Sequence, residues 1–119
     1  MSFLFVALGG ALGSALRYTI SLIPCKTDFP FLTLITNFIG ALAIGFVIGI
    51  AHDKSPNTLL FWKTGVCGGF TTFSTFSLEA FSLFERKMFV IGGLYVVLSV
   101  GLCLVGVLFG KKLSSLLQL

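Results

Sequence analysis

The chain has 119 residues, 56% of them hydrophobic and only 10% charged, with a formal net charge of +4; a soluble domain carries roughly 25% charged residues. A globule of this length fills its core long before its Leu, Ile, Val and Phe run out, and the surplus would form one large exposed patch. Lipid is the solvent that resolves the excess, which leaves no room for a soluble enzyme module, and the scattered positive charges suit loops at an anionic lipid surface better than nucleic acid.

A membrane span needs roughly 20 apolar residues, and four stretches meet that length. Residues 3–23 are stopped by Pro24, Lys26 and Asp28, and residues 31–51 by His52, Asp53 and Lys54. Residues 59–84 are followed by Glu85, Arg86 and Lys87, and residues 88–110 are closed by Lys111 and Lys112. The expected fold is an all-α membrane protein, with residues 1–119 forming one membrane domain of four transmembrane helices. The first stretch lacks the basic start of a secretory signal and three further spans follow it, so it is read as a mature helix.

Helix one places Gly9 and Gly13 four residues apart, a small-xxx-small row that lets backbones approach closely in lipid. Arg17 lies near its end, where a long side chain can snorkel to the interface. Helix two carries a similar row in Ala41, Gly45 and Gly49. It also places Thr33, Asn37 and Gly40 on one face, and the Asn37 amide can donate to an anion.

Helix three is different. From Gly65 to Ser77 it reads Gly-Val-Cys-Gly-Gly-Phe-Thr-Thr-Phe-Ser-Thr-Phe-Ser near the middle of its span. Gly costs about 1 kcal/mol relative to Ala in a helix and Thr somewhat less, so a break is expected near residues 68–72. Non-helical backbone at membrane depth persists only where protein or a polar cavity satisfies its freed carbonyls, and such carbonyls can take a cation. A packing kink, with Thr hydroxyls bonded back to the chain, is the alternative. Beyond it Phe73 and Phe76 share a face beside Ser74, Thr75 and Ser77. Their rings either fill the core or border an anion path with their positive edges. Glu79 is the only acid inside a span, and among proton carrier, gatekeeper and hydrogen-bond anchor the last is favoured.

Helix four repeats Tyr95, Ser99 and Cys103 every four residues, followed by Gly106 and Gly110. An uncharged row of donors is what a small hydrated anion needs if it is to shed water and still leave; interhelical hydrogen bonding is the bland reading. Cys25, Cys67 and Cys103 are odd in number and have no nearby histidines, so they read as small apolar fillers without a disulfide or zinc role.

The positive-inside rule orients a membrane chain by the Lys and Arg difference between its faces. Lys54, Lys63, Lys111 and Lys112 belong to the face holding both termini, and Arg17, Lys26, Arg86 and Lys87 to the other. An even count permits insertion in both orientations and hence an antiparallel pair of identical chains.

Together these residues resemble the Fluc/CrcB family of fluoride channels. The likeness runs from Gly9-Gly10-Ala11-Leu12-Gly13-Ser14 and Arg17-Tyr18 through Thr33-Leu34, Asn37 and Gly40. Above all it includes Gly68-Gly69-Phe70-Thr71-Thr72-Phe73-Ser74-Thr75-Phe76-Ser77 with Glu79, a long ordered string unlike generic membrane sequence. The resemblance implies a passive, non-enzymatic fluoride channel in the cell membrane, the inner membrane of a bacterium. It implies an antiparallel dual-topology homodimer with two pores and a structural Na⁺ held by the backbone carbonyls of Gly68 and Thr71. It puts Phe73, Phe76 and Asn37 in the pore, Ser74, Thr75, Tyr95 and Ser99 on a hydroxyl track, and Arg17 at a vestibule. Cys103 stands where some relatives carry another hydroxyl.

A small multidrug exporter is another short four-helix protein with balanced charge, but it wants a carboxylate in helix one, and only Arg17 is there. A non-transporting assembly subunit would show packing rows without the Asn, Ser, Thr and Tyr track.

Overall fold

The computed structural model describes residues 1–118 and, among them, contains helices and no strand. The long elements are α1 (Ser2–Ser21), α2 (Phe31–Gly49) and α6 (Phe89–Leu117), each long and apolar enough to cross a membrane. Between α2 and α6 come a 3-10 turn (Ala51–Asp53), α3 (Pro56–Leu59), a π-helical segment (Leu60–Cys67), α4 (Gly68–Phe70) and α5 (Phe73–Glu85). The third stretch begins three residues earlier than its hydropathy indicates because Ser55 caps it. Ser55 Oγ accepts from the Thr58 N–H at 3.2 Å, and Pro56 takes the first helical position, where a missing N–H costs nothing. The fourth helix continues past Lys111 and Lys112 to Leu117.

Residues 56–70 run continuously, and the chain then becomes extended at Thr71 and Thr72, with ψ of 159° and 119°. Gly68 and Gly69 remain helical, and the chain turns at the two threonines that follow. The absent side chains of Gly65 and Gly69 serve contact. A Cβ on Gly69 would stand 2.7 Å from the Gly10 carbonyl oxygen of α1, and one on Gly65 would stand 2.8 Å from Gly9 Cα. From the other side, a Cβ on Gly9 or Gly13 would strike the backbones of Phe61 and Val66. This is the close backbone approach that small residues permit in lipid.

α1 therefore lies along residues 56–70, while α2 lies along α6 with Gly45 and Gly110 at the crossing, and α5 packs on α6. The turn from α5 to α6 is closed by Lys87, whose φ of 62° is left-handed; its N–H donates to Phe84 C=O and the Met88 N–H to Leu83 C=O. Leu34, Phe76, Ala80, Leu83 and Tyr95 form the buried core. By contrast Leu4, Leu8, Leu12 and Leu16 make an outward row on α1, 44–55% exposed. In water such a surface would drive aggregation; against acyl chains it is the ordinary exterior of a span.

Candidate ion pathway

A groove of about 430 Å³ opens between α2, residues 67–76 and α6. Its polar lining is sparse: Asn37, Thr71, Thr72, Ser99 and Cys103 among aliphatic and aromatic neighbours. Among the described residues, no Lys, Arg, Asp or Glu lines it.

Asn37 is tied to the chain where it turns extended. Its Oδ1 accepts from the Thr72 N–H at 2.8 Å, and its Nδ2 donates to the Thr72 C=O at 3.1 Å. The polarity of the Thr72 peptide settles which end of the amide is which, and leaves the second Nδ2 hydrogen uncommitted. Thr72 also starts α5, its Oγ1 accepting from the Thr75 N–H at 3.2 Å. The redirection at Thr71 and Thr72 thus has a cause: a side chain 35 residues away supplies the hydrogen bonds that a continuing helix would have supplied.

One further consequence falls on the carbonyls. In an uninterrupted helix the Thr72 N–H would bond Gly68 C=O; here it bonds Asn37. Among the described residues, neither Gly68 nor Thr71 C=O accepts a hydrogen bond from the chain, whereas the Gly69 C=O accepts from Arg17 Nε at 3.1 Å. Arg17 is therefore turned inward onto the backbone of residues 68–71. No group of three or more His, Cys, Asp and Glu among the described residues could hold a metal ion.

Phe73 and Phe76 both line the groove, their ring centroids 5.5 Å apart at 45°. They differ in burial, Phe73 being 79% exposed and Phe76 only 9%. Behind Phe76 lies Tyr95, fully buried, its ring 5.1 Å from that of Phe76 and edge-on to Phe29 at 5.5 Å. The Tyr95 hydroxyl donates to Glu79 Oε1 at 2.9 Å. One turn further along α6, Ser99 faces the groove, and its Oγ is buried without any hydrogen-bond partner.

The groove therefore gathers Asn37, Gly68, Thr71, Phe73, Phe76 and Ser99. Tyr95 and Glu79 stand behind its aromatic wall. Ser74 is exposed, its Oγ 3.4 Å from Thr72 Oγ1, and Ser77 Oγ donates to the Phe73 C=O at 2.9 Å. Thr75 is half-buried and does not line the groove. Sequence reasoning passed over Thr72, whose backbone and hydroxyl organise the turn; the Thr-Thr pair before an apolar run was the available signal of a helix cap.

The sequence matches the family described as CrcB-like protein, Camphor Resistance (CrcB), over residues 4–111. It is 43% identical over 120 residues to a protein of Clostridium perfringens named fluoride-specific ion channel FluC, covering 96% of this chain and 94% of that one. Proteins of the same name from Roseobacter denitrificans and Methanococcus vannielii are 45% and 39% identical, covering 92% and 95% of this chain and 91% and 95% of theirs.

Proposed function

Since this chain belongs to the CrcB-like protein family, we propose that it conducts fluoride passively across the cell membrane, that of a bacterium, as one half of an antiparallel homodimer with two pores. The observation that carries this reading is Ser99: a buried hydroxyl with no protein partner, facing a groove that also holds Asn37, Phe73 and Phe76. Buried polar groups are almost always satisfied, and an orphan points to a missing ligand. The Ser99 hydroxyl, the free Nδ2 hydrogen of Asn37 and the positive ring edges of Phe73 and Phe76 offer an anion donors without a fixed positive charge. A charge there would hold the ion. Partial charges replace its water and release it.

The second copy is supported by the even division of Lys and Arg between faces and by the 79% exposure of Phe73, a pore residue that an isolated chain leaves unenclosed. In the same reading the third span is a broken helix at the membrane midplane. Its free Gly68 and Thr71 carbonyls suit a structural Na⁺ at the two-fold, two oxygens from each copy. There the ion would neutralise carbonyl dipoles that the extended residues leave unpaired. Tyr95, Ser74 and Thr75 continue the hydroxyl track beyond the groove, with Glu79 as its anchor and Arg17 at a vestibule.

Fluoride efflux from liposomes containing only this purified chain tests the proposal, with size-exclusion elution in detergent as the check on folding. If the rings border the path, Phe73→Ile or Phe76→Ile abolishes efflux from an intact dimer, because an aliphatic side chain has no positive edge. If they only fill space, the change lowers stability by roughly 1 to 3 kcal/mol and spares conduction. Normal efflux from both variants would overturn the assignment.

A further inference from the structure

A second, more polar cavity of about 400 Å³ lies at the end of the molecule formed by the α1–α2 connection, the first turn of α2 and the last turns of α5. Glu79 and Ser82 line it from α5, Arg86 from just past that helix's end, Thr33 from α2, and Thr27 and Asp28 from the connection. Arg86 lies seven positions beyond Glu79, roughly 10 Å along the helical rise, so the carboxylate and the guanidinium stand at different depths of one recess. Glu79 is bonded to Tyr95, and Tyr95 packs on Phe76, which lines the groove. The recess and the groove thus meet the same aromatic wall from its two sides.

At the recess, Arg86 Nη1 lies 3.4 Å from Asp28 Oδ1, with the two side chains 52% and 57% exposed. Such a wet ion pair contributes little to folding. Its place matters more: a carboxylate inside the recess repels an approaching anion, and a partly exposed guanidinium lining the same recess opposes that repulsion. Asp28 in turn draws off part of the Arg86 field.

We propose that this recess is a mouth of the anion path, in which Arg86 recruits the anion and Asp28 limits how strongly it is held. The inference rests on the channel reading above and adds a capture residue to it. Arg86 positions and attracts; it does not line the narrow part of the path.

The test is fluoride efflux from liposomes below saturation, at ionic strengths between about 10 mM and about 1 M, across which the Debye length falls from about 30 Å to about 3 Å. At low salt Arg86→Gln should slow efflux about threefold to tenfold, a fraction of the roughly 10- to 1,000-fold that the field of a whole charged cleft gives an on-rate, and Arg86→Lys should restore it. Asp28→Asn should accelerate efflux, and both differences should collapse at high salt. A merely structural ion pair gives a different pattern, since removing either partner breaks the same contact and moves efflux in the same direction.

Cys25 supplies an independent readout, because it is exposed and also lines the recess. In a Cys103→Ser background, which removes the more exposed of the two free thiols lining the groove, modification with a cationic methanethiosulfonate should speed efflux at low salt and modification with an anionic one of similar size should slow it, with the further change Cys25→Ser insensitive to both. Parallel losses in Arg86→Gln and Asp28→Asn, or effects that persist at high salt, would overturn the assignment of the mouth while leaving the channel intact. No efflux from the unmodified chain would overturn both.

Discussion

Ser99 and Asn37 show what single residues contribute here. The Ser99 hydroxyl is buried without a partner, so it bears the cost of lost hydration with no return from the protein, a cost of about 1 to 3 kcal/mol for an unsatisfied group. If its function is to meet the anion, Ser99→Ala should reduce fluoride efflux while leaving the thermal midpoint of the purified protein in detergent unchanged or higher. A variant that loses stability and conducts normally would make Ser99 a packing residue. The presence of Asn37 among polar candidates was legible from its place on a helix face beside Thr33 and Gly40. That its side chain would embrace the Thr72 peptide was not, because its partners are backbone atoms that no residue type announces.

Among the elements, the third span was the hardest to read. Gly68 and Gly69 stay helical, with Gly69 pressed against Gly10 of α1, and the chain turns extended at Thr71 and Thr72, the C-terminal end of the expected 68–72 break. Tertiary hydrogen bonds from Asn37 outweighed local preference. The extended pair leaves the Gly68 and Thr71 carbonyls without partners in the chain. If they hold sodium, replacing Na⁺ by a large organic cation should suppress fluoride efflux. Thr71→Ser should be mild, since a backbone oxygen coordinates. Undiminished efflux after exhaustive exchange would reduce the extended pair to a structural joint.

For the whole molecule, composition carried most of the information: three helices long and apolar enough to cross a membrane arise directly from the spacing of charged residues, and the outward Leu row of α1 is what lipid exposure looks like. Ends were less legible, because caps such as Ser55 and the left-handed Lys87 act through geometry and not hydropathy. The equal division of Lys and Arg bears on insertion. A reporter fused to the C-terminus should be found on both sides of the membrane, and two further Lys beside Lys111 should shift it to the cytoplasmic side. A reporter confined to one side in the unmodified chain would remove the charge-count support for an antiparallel homodimer.

The clasp between Asn37 and the Thr72 peptide has a counterpart in how such a sequence can drift. The clasp uses an N–H and a C=O that every residue except proline brings to position 72, so it restrains position 37 tightly and position 72 hardly at all. Substitutions at the two sites need not compensate one another. The contact would then be silent in any search for correlated changes among descendants, however firmly it shapes the path, and position 37 would read as an isolated invariant with no visible correspondent.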